Sequence, residues 1–133
     1  MLAKAGFATL VPIKKMDRAI KFYTDTLGGE LNMRADGDMK DYWASVSIGK
    51  NEFWLIQPEK QEKRELAYTT FVVKDIKETV NGLKKKKVEF LPAEKSSPKT
   101  KTDGAIAYEE WGASAFFNDS EGNLLMLWED TSQ

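Results

Sequence analysis

The chain has 133 residues, 41% hydrophobic and 31% charged, a balance typical of a globular domain rather than a disordered segment. Its formal net charge of −1 gives no electrostatic reason to expect a nucleic acid as partner, and no apolar run is long enough to span a membrane. It contains neither cysteine nor histidine, which excludes disulfides, thiolate catalysis, cysteine-ligated zinc and imidazole chemistry. No signal-peptide pattern precedes Phe7, so we expect a cytoplasmic protein.

The first half of the chain predicts a strand, a helix and three further strands. Residues 7–13 are apolar and partly β-branched, which predicts the first strand. A helix is predicted next, because apolar residues recur at helical spacing and two glycines follow them. That apolar stripe consists of Met16, Ala19, Ile20, Tyr23 and Leu27. Residues 30–34, 42–48 and 52–57 predict the other strands, which complete a β-α-β-β-β module over 5–58.

The second half begins after a polar linker over residues 59–66. Residues 68–73 predict a strand, because they are rich in β-branched and aromatic side chains. Asp75 and Glu78 have the spacing of a capping box, which predicts the start of a helix. The linker therefore precedes a second strand-helix unit.

After this helix the chain predicts further strands at 88–91 and 124–128, one or two strands within 105–117, and a polar loop over 93–104. This order again is β-α-β-β-β, and the second module covers 67–129.

The repeated order predicts an α+β fold in a single domain, 1–133. We expect the two β-α-β-β-β modules to lie side by side as a curved mixed sheet with helices on the convex face. The concave face is then the place to look for a ligand pocket.

Two short motifs resemble signatures of a known superfamily. Residues 16–23, continuing to Gly28-Gly29, resemble the first-helix signature of the vicinal oxygen chelate (VOC) superfamily, which includes glyoxalase I, bleomycin-resistance proteins and extradiol dioxygenases. Residues 117–123 resemble its closing turn, usually Asp-Pro-Asp-Gly-Asn, with Ser120 and Glu121 as departures. The resemblance spans nearly the whole chain and implies a single-domain protein of the glyoxalase/bleomycin-resistance type that forms a homodimer.

In metal-dependent members of that superfamily, four His, Glu or Gln side chains on the concave face hold a divalent ion. Spacing from the two motifs assigns these positions to Ala8, Trp54, Tyr68 and Met126. Alanine has no ligand atom, the indole N–H only donates, and a thioether is too soft for the ions of this chemistry. We therefore expect no metal site and no cofactor.

Strand alternation predicts that the metal positions are replaced by an aromatic cage. The predicted ligand-binding residues are Trp43, Trp54, Tyr68, Tyr108, Glu110, Trp111, Met126 and Trp128, with Tyr108, Glu110 and Trp111 at the rim. Such a cage binds flat or cationic molecules by stacking and cation–π attraction. The alternative is that these aromatic side chains are packed core or dimer contacts, with Glu52 and Glu110 as solvated carboxylates rather than acids or bases.

Three functions follow from this pattern. The first is a protein without a metal or catalytic residues that binds a small hydrophobic, aromatic or cationic compound, as bleomycin-resistance proteins do. The second is a metal-dependent lyase, isomerase or dioxygenase of the glyoxalase type. The third is a non-catalytic structural or regulatory dimer module. The replaced ligand positions favour the first, with a small molecule and a second copy of the chain as partners and neither nucleic acid nor membrane.

Overall fold

A computed structural model describes residues 2–60 and 69–132 of the chain. The chain divides into two compact units, 1–63 (unit 1) and 64–133 (unit 2). Each unit contains its own mixed sheet and a packed helix, so the α+β fold with one module in each half is confirmed. Of the predicted linker, residues 61–66 lie outside the described part of the chain.

Unit 1 follows the predicted order of strand, helix and three strands. Its elements are β1 (Ala8–Pro12), α1 (Met16–Lys21) with a π-helical continuation (Phe22–Thr26), β2 (Glu30–Arg34), β3 (Trp43–Ile48) and β4 (Asn51–Ile56), with short 3-10 turns at Leu2–Lys4 and Gly37–Met39. The sheet order is β1-β4-β3-β2, in which only β1 and β4 are parallel.

One face of this sheet is buried beneath α1. Met16, Ala19 and Tyr23 supply the buried side of the helical segment, and the Tyr23 and Phe53 rings lie 5.7 Å apart. The matching sheet side chains are Val11, Ala44, Val46, Phe53 and Leu55. Because side chains alternate along a strand, the intervening residues point to the other side, which α1 does not cover. This second side is the open face of unit 1.

Unit 2 contains four strands after its helix, two of them in the stretch that was predicted to hold one or two. Its elements are β5 (Thr69–Val72), α2 (Ile76–Lys85), β6 (Lys101–Asp103), β7 (Ile106–Tyr108), β8 (Gly112–Asn118) and β9 (Leu124–Asp130). The sheet order is β5-β9-β8-β7-β6, again with one parallel pair, β5 and β9. The helix begins as predicted, since the Asp75 side chain accepts a hydrogen bond from the backbone N–H of Glu78 at 3.0 Å.

The face of the unit 2 sheet beneath α2 is closed by Ala113, Ala115, Phe117, Leu125 and Leu127. Ile76 and Val80 of the helix are buried as well. The opposite side is the open face of unit 2. Leu125 and Leu127 thus pack beneath a helix, as Phe53 and Leu55 do in unit 1.

Two local predictions in unit 2 are wrong. Residues 88–91 form no strand, and only an isolated bridge joins Phe90 to Phe117 of β8. Pro92 has no N–H and ends the pairing after Leu91, and β7 pairs with the start of the same edge of β8, at Ala113 and Ser114. The predicted loop over 93–104 contains β6, whose residues are all exposed and so lack an apolar signature.

The closing turn is held by one buried carboxylate. Asp119 Oδ1 accepts hydrogen bonds from the backbone N–H groups of Glu121 and Asn123, both at 2.8 Å, and its Oδ2 accepts one from the Asn123 side chain at 2.8 Å. Gly122 has a φ of +87°, in the region that favours glycine. The Asp-Ser-Glu-Gly-Asn sequence therefore closes β8 onto β9 without proline.

No helix in the described part of the chain is both long and apolar enough to cross a membrane.

Candidate functional site

Two tryptophans lie together on the open face of unit 1. Trp43 is on β3 and Trp54 is on β4, and the strand pairing sets Trp54 opposite Ser45 and Trp43 opposite Ile56. Their ring centroids are 5.9 Å apart with an interplanar angle of 75°, an edge-to-face contact. Trp54 is 38% exposed, so its ring remains available to a ligand.

Glu52 fixes the orientation of this pair. Its Oε1 accepts a hydrogen bond from Trp54 Nε1 at 2.8 Å and a second from Ser45 Oγ at 2.7 Å. Because Ser45 is buried and can donate only one hydrogen, its hydroxyl is a fixed partner. The carboxylate therefore lies beside the indole edge in one defined position.

An amide extends the network across a third strand. Asn32 Nδ2 on β2 donates to Ser47 Oγ at 2.6 Å and to Ser45 Oγ at 3.2 Å. The β2 register shifts between Leu31 and Met33, an irregularity that aims Asn32 at the two serines. Three strands are thus joined by side chains on the open face.

This environment keeps Glu52 ionised. The hydrogen bond from Ser45, followed by that from Trp54, lowers the pKa of Glu52 below its ordinary value of 4.5. At neutral pH the open face of unit 1 therefore presents a carboxylate next to two aromatic rings.

Apolar side chains surround the charged group. Leu10 lies opposite Trp54 in the β1–β4 pairing and is 53% exposed, and Met33 lies opposite Ser45 and is 61% exposed. The surface offers aromatic rings for stacking, flexible aliphatic side chains and one negative charge in a fixed position. These are the features that recognise a flat cation.

Met126 and Trp128 lie on the open face of unit 2. Met126 is opposite Phe116 and Trp128 is opposite Ser114 in the β8–β9 pairing. Thr70 Oγ1 contacts Met126 Sδ at 3.7 Å. A Cβ atom at Gly112 would overlap the Trp128 ring, so glycine is what allows the indole to lie flat against β8.

The predicted rim residues do not share one face. Tyr108 pairs with Ala113, whose side chain is buried on the α2 side of the sheet. Directly opposite residues of an antiparallel pair share a face, so Tyr108 lies away from Trp128. Glu110 and Trp111 are exposed in the turn between β7 and β8, Trp111 at 57%. Tyr68 lies outside the described residues.

The positions that correspond to metal ligands do not supply a fitting donor set. Ala8 lies opposite Glu52 in the β1–β4 pairing, which makes Glu52 the carboxylate nearest to that position on the open face. Trp54 and Met126 contribute an indole N–H donor and a thioether. Among residues 2–60 and 69–132, no three His, Cys, Asp or Glu side chains cluster as a metal site requires.

Sequence reasoning missed the role of the network around Trp54. Alternation placed Ser45, Ser47 and Glu52 on the face of Trp54, but it did not reveal the hydrogen bonds that join Glu52 to Ser45 and Trp54. The shared face of Glu52 and Trp54 follows from their spacing, since residues i and i+2 of a strand share a face, but the spacing does not show which side chains are hydrogen-bonded. Asn32 had no such signal, because its direction depends on the irregular register of β2.

The family model described as Glyoxalase/Bleomycin resistance protein/Dioxygenase superfamily matches residues 7–127. No curated protein matches the chain.

Several solved structures are similar over nearly the full length. TnmS3, an antibiotic binding protein from Streptomyces sp. CB03234, has a TM-score of 0.73 and 20% identity, covering 98% of this chain and 99% of that one. The genomically encoded fosfomycin resistance protein FosX from Listeria monocytogenes gives 0.69 and 14%, covering 94% and 92%. Lactoylglutathione lyase from Agrobacterium tumefaciens gives 0.67 and 14%, covering 95% and 93%.

At these identities the structures show that the fold is shared. They do not show a shared chemistry, because chemistry depends on the residues of each protein's own site. The family match covers almost all of the sequence, including both motifs singled out above. The chain therefore belongs to the glyoxalase/bleomycin resistance protein/dioxygenase superfamily.

Proposed function

We propose that this protein binds a small aromatic cation on the open face of unit 1, without a metal and without catalysing a reaction. The observation that carries the proposal is the Trp43–Trp54 pair with Glu52 hydrogen-bonded to the indole edge. A fixed carboxylate beside an exposed ring attracts a cation and lets its flat body stack. Each good cation–ring contact contributes about 0.5–2 kcal/mol.

The chemistry of the donor set supports binding rather than metal-assisted catalysis. A divalent ion of this superfamily's chemistry needs several oxygen or nitrogen ligands, whereas Ala8, Trp54 and Met126 supply none that fits. Glu52 is a single carboxylate whose Oε1 already accepts two hydrogen bonds. The antibiotic binding protein TnmS3 and FosX are named for roles toward antibiotics, which makes an antibiotic-like compound a reasonable ligand to test.

The test uses probes of equal shape and different charge. 1-Methylquinolinium, neutral 1-methylnaphthalene and anionic 1-naphthoate are titrated into the ¹⁵N-labelled protein, and the indole N–H signals are followed by NMR. We expect a saturable shift of the Trp54 signal with the cation and a weaker one with its neutral isostere. Glu52→Gln is expected to remove the preference for the cation, because it removes the charge and keeps the shape.

The matched control is Trp111→Phe, which changes an exposed indole in unit 2. It is expected to leave the Trp54 titration unchanged. Equal affinity for all three probes, or no saturable shift, would overturn the proposal. Stoichiometric nickel, zinc, manganese or iron in the purified protein, measured by mass spectrometry, would support the metal-dependent enzyme instead.

We also propose that the protein is cytoplasmic. Cell fractionation with an antibody against the chain tests this, and recovery outside the cytoplasmic fraction would contradict it.

A further inference from the structure

The hydroxyl of Ser45 determines which way the Asn32 amide is turned. Ser45 Oγ lies 2.7 Å from Glu52 Oε1 and 3.2 Å from Asn32 Nδ2. An ionised carboxylate only accepts hydrogen bonds, so the single hydrogen of Ser45 points at Glu52. Ser45 Oγ then acts toward Asn32 as an acceptor, which requires the amide nitrogen and not the amide oxygen at that position. The orientation of the amide therefore follows from the charge of Glu52.

Two acceptor atoms of this network remain uncommitted. Asn32 Nδ2 donates to both Ser45 and Ser47, so Oδ1 is the side of the amide that is turned away from the serines. Both donors to Glu52 reach Oε1, which leaves Oε2. Within residues 2–60 and 69–132, neither Asn32 Oδ1 nor Glu52 Oε2 accepts a hydrogen bond. Asn32 and Glu52 are both exposed, so a ligand can reach these two oxygens.

The two acceptors lie on either side of one strand. β2, β3 and β4 are neighbours in the sheet, with Asn32 on β2, Glu52 on β4 and the two serines between them on β3. Adjacent strands are about 4.8 Å apart. The amide and the carboxylate both lean inward, since both contact the hydroxyl of Ser45. A flat ligand the size of a fused ring system that lies against Trp54 can therefore meet both acceptors.

Given the binding function proposed for this face, we propose that its ligand is a protonated amino-substituted heteroaromatic compound, which donates its ring N–H to Glu52 Oε2 and an amino N–H to Asn32 Oδ1. A quaternary cation satisfies the charge of Glu52 but offers no hydrogen to either oxygen. Acceptors that lose water on binding and gain no donor cost free energy. Glu52 thus selects the charge of the ligand, and Asn32 selects the position of its second N–H group.

The test is an NMR titration of the wild-type protein with three cations of one ring system. Protonated 4-aminoquinoline has both donors, 4-amino-1-methylquinolinium lacks the ring N–H, and protonated 4-(dimethylamino)quinoline lacks the amino N–H. The indole signal of Trp54 gives each affinity. We expect ring methylation to weaken binding about tenfold, because it removes a hydrogen bond to a charged group, and dimethylation about threefold, because it removes one to a neutral amide.

Asn32→Ala separates a lost hydrogen bond from the bulk of the added methyl groups. The variant is expected to abolish the penalty of dimethylation and to keep that of ring methylation, whereas a steric penalty would persist in both. Leu31→Ala is the matched control on β2 and should keep both penalties. Leu31 lies opposite Val46, which is buried beneath α1, so its side chain is on the other face of the sheet. The dispersion of the amide spectrum shows whether each variant folds, and the wild-type comparison needs no variant.

Equal affinity of the three cations for the wild-type protein overturns the two-donor ligand. A folded Asn32→Ala variant that keeps the penalty of dimethylation, or that loses the penalty of ring methylation instead, overturns the assignment to Asn32. Each of these results leaves the cation-binding function standing as long as 1-methylquinolinium binds more tightly than 1-methylnaphthalene. Loss of that preference removes the binding function itself, and the ligand class with it.

Discussion

Glu52 is exposed at the start of β4, yet three side chains define where its charge lies. Ser45 and Trp54 donate to one carboxylate oxygen, and Asn32 in turn donates to Ser45. A lone exposed carboxylate rotates freely, whereas one that accepts two fixed donors has a direction. The contribution of Glu52 to binding therefore depends on residues that need not touch the ligand.

Because Glu52 must be ionised to attract a cation, we expect ligand binding to depend on pH. The folded-state pKa of Glu52 is depressed, so the stabilisation from its hydrogen bonds is fully present above the unfolded pKa and is lost as pH falls through the folded one. We expect cation binding to be constant at neutral pH and to fall only below the ordinary value of 4.5. Ser45→Ala removes the largest cause, so it should raise the pKa and shift the loss of binding to higher pH.

The pKa of Glu52 is measured by following its carboxyl ¹³C signal with pH. Ser47→Ala is the control, since Ser47 accepts from Asn32 and makes no hydrogen bond to Glu52. An identical titration curve for Ser45→Ala and the wild-type protein would contradict this account.

Alanine substitutions at two glycines of unit 2 are expected to change the stability of the protein in opposite directions. At Gly112 a Cβ would overlap the Trp128 ring and lie 2.8 Å from the Glu129 carbonyl oxygen. Gly112→Ala is therefore expected to destabilise the protein by about 1–3 kcal/mol, the usual cost of overpacking. Gly82, within α2, has nothing within 4 Å of its Cβ position, and Gly82→Ala should stabilise by about 0.5–1 kcal/mol.

Urea unfolding followed by circular dichroism measures both changes. If Gly112→Ala unfolds at the wild-type urea concentration, the close approach of Trp128 to β8 is not a constraint on the fold.

At the scale of elements, α2 begins at the predicted cap. Asp75→Ala removes the acceptor for the Glu78 N–H and should cost about 0.5–2 kcal/mol. Asp75→Asn keeps an acceptor at the same place and is expected to unfold near the wild-type midpoint. Thermal unfolding of both variants checks this, and equal losses in the two would show that the charge rather than the cap is responsible.

The alternation of apolar and polar residues predicted the strands that bury one face. It did not predict β6, which buries neither face. Phe53 and Leu55 alternate with Glu52 and Trp54, so both the strand and its faces could be read from the sequence. β6 carries Lys, Thr and Asp, all exposed, and its pairing with β7 leaves no trace in side-chain polarity. Strand register is specified only where one face is buried.

The apolar residues at 88–91 led to an incorrect strand prediction for a related reason. Val88 is buried, and the Phe90 and Phe117 rings lie 5.2 Å apart, so these side chains pack into the core without a strand. Apolar runs of a few residues fit several kinds of buried segment. The candidate site shows the same limit, because Trp43 and Trp54 share a face by alternation, while Asn32 reaches Ser45 and Ser47 only through a register shift.

At the scale of the whole molecule, each unit has its own sheet, helix and core. The repeated order of elements was visible in the sequence although residue identities hardly repeat, because order depends on hydrophobic periodicity alone. The superfamily could be recognised from two motifs near the chain ends, and the family match over residues 7–127 bears that out.

We expect the protein to form a homodimer. Leu10 and Met33 lie on the two edge strands of the unit 1 sheet and stay more than half exposed in the single chain, and exposed apolar surface is a mark of interaction sites. We expect sedimentation equilibrium to give twice the chain mass of 15.1 kDa. A mass of one chain across the accessible concentration range would contradict the prediction.

The placement of the tryptophans has an optical consequence. Of the four in the chain, Trp43 and Trp54 belong to unit 1, and Trp111 and Trp128 belong to unit 2. Replacing either pair by phenylalanine leaves tryptophan fluorescence from one unit only. The two emission curves, recorded during denaturation, then report the melting of each half separately, so the protein carries its own reporters of whether its two modules unfold as one cooperative body.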